Sequence, residues 1–562
     1  MQLARNKIVS IIFFICVISS PALYAQESQL GRVEFQTSGS EKAQAHFLRG
    51  LAALHSFWYE EALEAFREST RVEPDFAMGY WGEAMAHNHP LWSEQDIAAA
   101  RQVLTKMKET PKLTDRERAY LAAVRLLYAE GDKPARDAAY SAAMEKIYRA
   151  YPDDLDAAAF YSLSLLGMVN FEEKSYRLQA KAGAIALDVY QKNSNHPGAA
   201  HYIIHAFDDP DHAILALPAA RRYAGIAPEA HHARHMPSHI FLQLGMWPEA
   251  AASNESAWQS SDAWMKRKNL PVSVRDYHSL HWLLYVYLQQ GRYNEAEQLL
   301  DLMKKVMSES TYDNKLRPGY YENNYANMAA AFVVETERWN LATELFPESK
   351  AKPATSEQTT MSGGHSGHGP APAPAGNGAA TVRTSSVSLT LPFFVRGLAA
   401  AVSNSSAVHQ NLEGLRATGS AGASARASNL MIRQLEIEAL NASMKKDHAK
   451  AIDLMTKATT LEEMTSPPYG PPHLIKPTHE LLGEILLRAG KPAEAAAQFK
   501  IALLRQPNRA RSLLGAARAA AQSGNQAAAA VAYTALLEQW KQADEGLPEL
   551  REARDYLKQE KH

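Results

Sequence analysis

The chain has 562 residues, of which 46% are hydrophobic, and a formal net charge of −2 with a pI near 6.9. This length exceeds what one hydrophobic core normally serves, so we expect several domains or a repeat array. The near-neutral charge excludes a general nucleic-acid surface, and the single cysteine, Cys16, excludes a disulfide framework and a cysteine metal site in the rest of the chain.

The first 25 residues have the pattern of a secretory signal. Arg5 and Lys7 give a positive start, an apolar run follows over residues 8–19, and small residues lead to Ala25. We therefore predict cleavage after Ala25 and a secreted or periplasmic protein. Later stretches are too short or too polar to span a membrane.

Beyond the signal, apolar and charged residues alternate at three- and four-residue steps, which predicts a nearly all-helical protein. A turn, a small residue and a later proline recur at fixed spacing, which lets paired helices approach and then stops the second one. The markers are Phe57-x-Tyr59-x-x-Ala62-x3-Phe66 before Pro74, Gly245-x-Trp247-x-x-Ala250, Gly291-x-Tyr293-x-x-Ala296, and Gly490-x-Pro492-x-x-Ala495-x3-Phe499 before Pro507. This pattern resembles the tetratricopeptide repeat (TPR) family over most of the mature chain.

The resemblance implies an all-α fold, a TPR-type α-solenoid built as a superhelix of helix-turn-helix repeats. Thr114 and Glu117 form a capping-box pattern that opens an additional helix. The chain is also similar to uncharacterised exported bacterial TPR proteins, and that resemblance implies no reaction. Counting back from the markers places the first helices of the units near Ala43, Ala77, Leu155, Pro197, His231, Tyr277, Asn323, Ile432, Lys476 and Ala510.

Two pairs of histidines are the sharpest functional signal. His201 and His205 are four residues apart, and so are His235 and His239; corresponding members of the two pairs are 34 residues apart. Residues four apart lie on one face of a helix, and 34 residues is the period of one TPR unit. Imidazole is the commonest protein ligand for metals. We therefore predict that these four histidines bind one transition metal ion.

In TPR arrays, positions 2, 5, 9, 12 and 13 of each unit face the concave groove, and the resemblance implies the same here. Seven histidines from three consecutive units would then face one groove. Asp208 and Asp209 would lie close by, as a ligand or as a partner that orients a histidine. The secondary metal candidates are therefore His232, His278, His281, Asp208 and Asp209. Zinc, copper, iron and nickel all suit such ligands.

Pro237, between His235 and His239, weakens the simple face argument. A proline kinks a helix and biases the preceding residue, here Met236, toward an extended conformation. We therefore expect a bend around His231, His232 and His235.

A Pro-, Gly-, Ala-, Ser- and Thr-rich stretch divides the chain. Its composition cannot bury enough apolar surface to order itself, so we predict a flexible linker at 347–388. It separates an N-terminal array (26–346) with the histidine-rich groove from a C-terminal array (389–562). His365 and His368 lie in the linker, in a Gly-rich setting without fixed geometry.

Glu480 and Glu484 are the weaker catalytic candidates. They occupy positions 5 and 9 of a late unit and would supply an acid-base pair or a metal ligand if the superhelix curves round. A solvated or salt-bridged face is the alternative explanation.

Three functions remain open. The first is an exported TPR solenoid with a histidine-bound transition metal in its groove, for binding or sensing. The second is a metal-dependent hydrolase or oxidoreductase in the same groove. The third is a metal-free interaction scaffold. The expected partner is a protein, a peptide or a small molecule in the groove, and we expect neither nucleic-acid binding nor a membrane span.

Overall fold

The computed structural model describes residues 29–92, 94–169, 175–309, 319–348, 386–418, 424–465 and 469–559. For 386–388 and 424–427 it describes the backbone alone. The predicted signal at 1–25 and nearly all of the predicted linker, with His365 and His368, lie outside these residues. In the described part of the chain, no helix is both long and apolar enough to cross a membrane.

The described chain is almost wholly helical, which confirms the predicted fold class. Before residue 310 the helices are α1 (Glu41–His55), α2 (Tyr59–Val72), α3 (Ala77–Met85), α4 (Ile97–Lys106), α5 (Asp115–Leu127), α6 (Lys133–Ala150), α7 (Leu155–Gly167), α8 (Arg177–Lys192), α9 (Pro197–Ala206), α10 (Ala213–Ile226), α11 (His231–His235), α12 (Pro237–Gln243), α13 (Trp247–Arg267), α14 (Tyr277–Gln289) and α15 (Tyr293–Ser308).

The remaining helices form the second half of the array. They are α16 (Tyr320–Thr336), α17 (Ala342–Leu345), α18 (Ser386–Val402), α19 (Ala407–Thr418), α20 (Ser424–Met444), α21 (His448–Glu463), α22 (Thr478–Arg488), α23 (Pro492–Arg505), α24 (Ala510–Gln522), α25 (Gln526–Gln539) and α26 (Pro548–Gln559). A two-residue antiparallel pairing, β1 (Asn88–His89) with β2 (Glu94–Gln95), interrupts the helices after α3.

Most predicted unit starts coincide with observed helix starts or fall within a turn of them. The exception is Ile432, which lies inside α20 because the Ala- and Ser-rich residues before it are helical too. The predicted capping box is also present. The Thr114 hydroxyl accepts from the Glu117 amide at 3.2 Å, and the Glu117 carboxylate accepts from the Thr114 amide at 2.8 Å. Such a cap contributes about 1 kcal/mol to helix stability.

Glycines allow the helices of successive units to pack closely around one aromatic ring. A Cβ built on Gly82 of α3 would lie 2.2 Å from the Phe66 ring of α2, and one on Gly515 of α24 would lie 2.2 Å from the Phe499 ring of α23. Any larger residue would displace the ring. The recurring small residues in the sequence therefore mark places where neighbouring units meet.

The N-terminal array curves back on itself and fills its own concave side. Helix α1 packs against α9, and the Trp264 indole of α13 donates to Glu61 of α2 at 3.0 Å. The sequence predicts an open groove lined by the histidines. In the structure, aromatic and histidine side chains fill this space. The face of the solenoid that the sequence predicts as the binding groove is therefore buried in its interior.

The C-terminal helices pack against the N-terminal array. Helix α18 packs on α16, and the Trp247 indole of α13 donates to the carbonyl of Asn508, just before α24, at 2.9 Å. The two predicted arrays are thus in direct contact across the chain segment between them.

Candidate metal centre

Three successive helical units bring six histidines together inside the N-terminal array. Helix α9 carries His201 and His205 one turn apart, and α14 carries His278 near its start. Helices α11 and α12 carry the other three, His232, His235 and His239.

Pro237 does not produce the expected extended residue. Met236 is helical, with φ −53° and ψ −35°, and Pro237 is the first residue of α12. The missing proline amide costs nothing at that position because the first amides of a helix have no intrahelical partner. Helix α11 ends at His235 and α12 begins at Pro237, so His235 and His239 lie on two different helices.

The first three-histidine cluster, cluster A, consists of His201, His205 and His232. The Nε2 atom of His201 lies 3.0 Å from Nε2 of His205 and 3.1 Å from Nε2 of His232. The other ring nitrogen of His201, Nδ1, donates to the backbone carbonyl of His55 at 2.7 Å. A neutral imidazole has one N–H, so His201 directs a lone pair at its two neighbours.

The second three-histidine cluster, cluster B, consists of His235, His239 and His278. Each offers a ring nitrogen within 4.8 Å of the other two, and the Nε2 atoms of His235 and His239 are 3.1 Å apart. Metal–nitrogen bonds of about 2.0–2.1 Å place the nitrogens of a tetrahedral site roughly 3.3 Å apart. The spacings of His201 to His205 and His232, and of His235 to His239, are therefore close to those around a coordinated ion.

The hydrogen bonds around cluster B fix its tautomers. His235 Nδ1 lies 2.7 Å from Oδ1 of Asn254, whose amide nitrogen is committed to the Ala250 carbonyl at 2.8 Å, so His235 Nδ1 donates. His239 Nδ1 donates to the Asp208 carboxylate at 2.6 Å. As neutral rings, both histidines then direct Nε2 lone pairs at each other. Two lone pairs at 3.1 Å repel unless a cation lies between them.

Burial favours the neutral, metal-binding form of three of these imidazoles. It lowers the pKa of His201 to about 3 and that of His235 to about 3, against weaker hydrogen-bonding effects that raise them. Burial also holds the pKa of His232 well below its usual range. In the described structure His205 is the one member of the two clusters that is not buried.

The two clusters adjoin each other, and an aromatic ring packs against each of them. The rings of His205 and His239 are 5.9 Å apart between centroids, and those of His232 and His235 are 6.1 Å apart. Trp282 stacks on His239 at 4.2 Å. Gly470, at φ +87°, lies against the six-membered ring of the Trp282 indole. A Cβ built on Gly470 would lie 2.1 Å from that ring. The segment after α21 thus packs against Trp282, which in turn contacts cluster B.

Phe57 packs against cluster A from a strained backbone position. Its ring centroid lies 4.3 Å from that of His201. Its φ is +52°, in the left-handed region that favours glycine, whereas the equivalent unit turns use Gly245, Gly291 and Gly490 at φ +65° to +71°. The left-handed conformation costs a non-glycine residue about 1–2 kcal/mol. The first unit therefore carries an aromatic ring against the histidines at a position where other units carry glycine.

A tetratricopeptide repeat model matches residues 43–76, which form α1, α2 and the turn that contains Phe57. Helix pairs of the same kind repeat to the end of the described chain. Residues 43–76 thus form a tetratricopeptide repeat, and the helix pairs of the described chain form a TPR-type solenoid. This confirms the family predicted from the sequence markers.

Solved TPR-containing structures resemble this TPR protein distantly. The human IFIT1 dimer with m7Gppp-AAAA is 12% identical over 90% of this chain and 91% of that chain, with a TM-score of 0.33. Yeast Tom70 is 11% identical over 93% and 90%, with a TM-score of 0.28. Similarity at this level carries no inference about function. No curated protein matches the sequence.

The four histidines predicted to share one ion are divided between the two clusters of this TPR protein. His201 and His205 belong to cluster A, and His235 and His239 to cluster B. The secondary candidates His232 and His278 complete them. Asp208 orients His239, as one of the two roles considered for it. Asp209 instead accepts from the His212 ring at 2.8 Å in the turn before α10.

His281 lies away from both clusters. Burial, with a smaller contribution from His473, lowers its pKa to about 4. Among the described residues, the possible metal-holding groups include neither His281 nor Asp209.

Glu480 forms a buried ion pair instead of standing free as an acid or base. Its carboxylate accepts from Arg509 at 2.8 and 3.1 Å, from Lys476 at 3.0 Å and from Ser512 at 2.7 Å. Glu484 accepts from Lys476 at 2.6 Å. Arg509 also pairs with Glu335 of α16 at 2.6 Å. These contacts support the salt-bridged alternative and link the two halves of the solenoid.

The sequence motifs do not predict a third buried group, His55, Asp156 and His196, which lies next to cluster A. Asp156 accepts from His55 Nε2 at 2.8 Å and lies 3.4 Å from His196 Nε2, while the Tyr202 hydroxyl lies 2.8 Å from His55 Nδ1. Burial alone would raise the pKa of Asp156, but the two histidines hold it well below its usual range. Asp156 is at position 2 of the unit starting at Leu155, so the same concave-face rule could have found it.

Proposed function

We propose that this protein is an exported TPR solenoid that binds a transition metal in the buried histidine clusters A and B, for metal binding or sensing. The observation that carries the proposal is the 3.1 Å separation of Nε2 of His235 and Nε2 of His239, while both Nδ1 atoms bond to other residues. A proton or a metal ion between the two Nε2 atoms would relieve the repulsion of facing lone pairs.

The surroundings favour the metal over the proton. Burial that keeps the pKa of His235 near 3 opposes protonation at neutral pH, whereas a metal ion recruits a third nitrogen from His278. The hydrogen bonds from His235 to Asn254 and from His239 to Asp208 are those that orient metal-binding imidazoles. Phe57 also packs beside the clusters in a strained backbone conformation, and such strain is concentrated at functional sites.

Elemental analysis of the untagged mature protein tests the proposal. We expect at least one transition metal ion per chain, and a loss of metal in His239→Ala and His201→Ala. His409→Ala is the matched control, because the His409 side chain is 76% exposed on α19 and should not affect the metal. Absence of metal from the wild-type protein, even after reconstitution with zinc, copper, iron and nickel salts, would contradict the proposal.

Export rests on the sequence of the first 25 residues and is tested separately. Expression of the full chain in a Gram-negative host should give a periplasmic protein whose mass corresponds to a start at Gln26. An unprocessed cytoplasmic chain would contradict this part of the proposal and leave the metal site unaffected.

An interaction scaffold is the second candidate, favoured by a groove in the last units. Helices α23, α24 and α25 line a groove of about 590 Å³ with alanine and leucine side chains. Leu504 and Val531, on two of these helices, are 66% and 71% exposed. Cross-linking with mass spectrometry in the producing cell should find a protein cross-linked beside this groove, and Leu504→Asp should remove that cross-link. No cross-link at the groove would eliminate this candidate.

A further inference from the structure

Clusters A and B are each complete as a metal site. Each contributes three imidazoles with mutual ligand distances within 4.8 Å. A metal site with three protein ligands keeps an open position for a water or another small ligand. Since the described chain supplies two such sets side by side, a single ion would leave one set of converging nitrogens unused.

Neither the histidine pair on α9 nor the pair on α11 and α12 is a complete cluster by itself. Cluster A combines His201 and His205 of one unit with His232 of the next, and cluster B combines His235 and His239 with His278 of the unit after. Each cluster therefore bridges two units. Because the units repeat, histidines at equivalent positions form a second cluster one unit further along the solenoid.

We propose that clusters A and B bind a pair of copper ions, one in each cluster, taken up as Cu(I). This inference rests on the proposed function, because it specifies the number and identity of the ions in the same site.

The charge of the site favours a monovalent ion. All six candidate ligands are imidazoles, which bring no negative charge, and the described structure places no carboxylate in either cluster. Asp208 is one hydrogen bond away, behind His239. Charge buried without a counter-charge is costly, so two Cu(I) ions add half the positive charge that two divalent ions would add. Imidazole is a good ligand for copper.

The composition of the clusters is consistent with this choice. Thiolates are absent from the mature chain, since Cys16 lies within the predicted signal, so either cluster would hold its ion through imidazole nitrogens alone. Aromatic rings of Phe57, Tyr223 and Trp282 surround the histidines within 5.3 Å of a ligand ring. These apolar walls exclude water, which would otherwise solvate a more highly charged ion.

Metal stoichiometry tests the inference. Untagged mature protein, stripped of metal by chelation, is loaded anaerobically with excess Cu(I), desalted against a weak Cu(I) chelator and analysed for copper. We expect two copper ions per chain in the wild type, and one in each of His232→Gln and His278→Gln. The double variant should bind fewer than its single parents and approach zero.

Control variants separate the clusters from other histidines. His409→Ala and the pair His365→Ala with His368→Ala should each keep two copper ions, since these histidines lie outside both clusters. Circular dichroism of every variant shows whether it is folded, and the glutamine substitutions keep the side-chain volume close to that of histidine.

Each outcome has a distinct meaning. One copper ion in the wild type would overturn the pair but leave the proposed function standing. Two zinc ions retained under conditions that remove Cu(I) would overturn the choice of copper. No retained metal of any kind would overturn the proposed function itself. Copper lost from the linker variant alone would place binding at His365 and His368 and overturn the inference.

Discussion

His239 donates its Nδ1 proton to the carboxylate of Asp208 at 2.6 Å, across two successive repeat units. The same carboxylate accepts from the Gln243 amide at 3.2 Å. Asp208 therefore fixes both the orientation and the tautomer of a histidine in cluster B without belonging to the cluster itself. It is a positioning residue.

We expect Asp208→Asn to lower metal affinity by roughly 10- to 100-fold, the usual cost of losing such a partner. The reason is that the asparagine amide leaves His239 free to rotate and to move its proton to Nε2. Competition titration against a chromophoric chelator measures the change. Asp209→Asn is the matched control, because Asp209 serves a turn and faces His212; an equal loss in both variants would point to the loop as a whole and contradict a specific role for Asp208.

Phe57 links backbone strain to cluster A. We expect Phe57→Gly to weaken metal binding and to lower the free energy of unfolding, because the lost ring burial of about 3–5 kcal/mol exceeds the strain of about 1–2 kcal/mol that glycine relieves. Chelator competition and urea unfolding measure the two effects.

Lys446→Gly is the control for Phe57→Gly. Lys446 lies in the turn between α20 and α21 at φ +66° and is exposed. Its replacement should keep the metal affinity and leave stability unchanged or raised by up to about 1 kcal/mol. If Phe57→Gly bound metal as well as the wild type, the strained ring would have no role at the site.

Glu480 should matter for stability and not for metal binding. Glu480→Gln leaves Arg509 and Lys476 buried with one counter-charge fewer, and breaking a buried pair costs about 3–5 kcal/mol. Glu552→Gln, which removes the partly exposed partner of Arg518, should cost about 1 kcal/mol or less. Chemical unfolding of both variants checks this; unchanged stability in Glu480→Gln, or loss of metal from it, would contradict the structural role.

The sequence predicts the repeat frame well because helix pairs are specified by local markers. Gly245, Gly291 and Gly490 mark unit turns, and the starts at Pro197, His231 and Tyr277 coincide with observed helices. The same frame names all six histidines of the two clusters as primary or secondary candidates.

The sequence does not predict how those histidines are grouped. The division into two clusters depends on the offset between α9, α11 and α14, which long-range packing sets. The expected extended conformation of Met236 is wrong, because proline is compatible with a helix when it starts a new one, as Pro237 starts α12. The groove is filled because distant units contact each other, as Trp264 contacts Glu61. No local sequence pattern predicts such contacts.

Acid should destabilise the metal-free protein in part through His281. Its pKa is near 4 in the folded chain, below the ordinary value of 6.5, so the unfolded chain binds the proton more readily. The free energy of unfolding therefore falls as the pH falls from 6.5 toward 4, and this histidine has no effect above that window.

His281→Gln removes the titrating group and should flatten that dependence. Thermal unfolding of the metal-free wild type and variant at several pH values between 4 and 8 measures it, with His409→Gln as an exposed control. Parallel curves for His281→Gln and the wild type would show that His281 does not titrate differently on unfolding.

A crystal structure of the metal-loaded protein, with anomalous diffraction recorded at the absorption edge of the bound metal, tests the central claim most directly. The account predicts an anomalous peak between Nε2 of His235 and Nε2 of His239, within bonding distance of both. An occupied metal elsewhere, or a well-ordered His235–His239 pair with no anomalous peak from metal-saturated crystals, would contradict it.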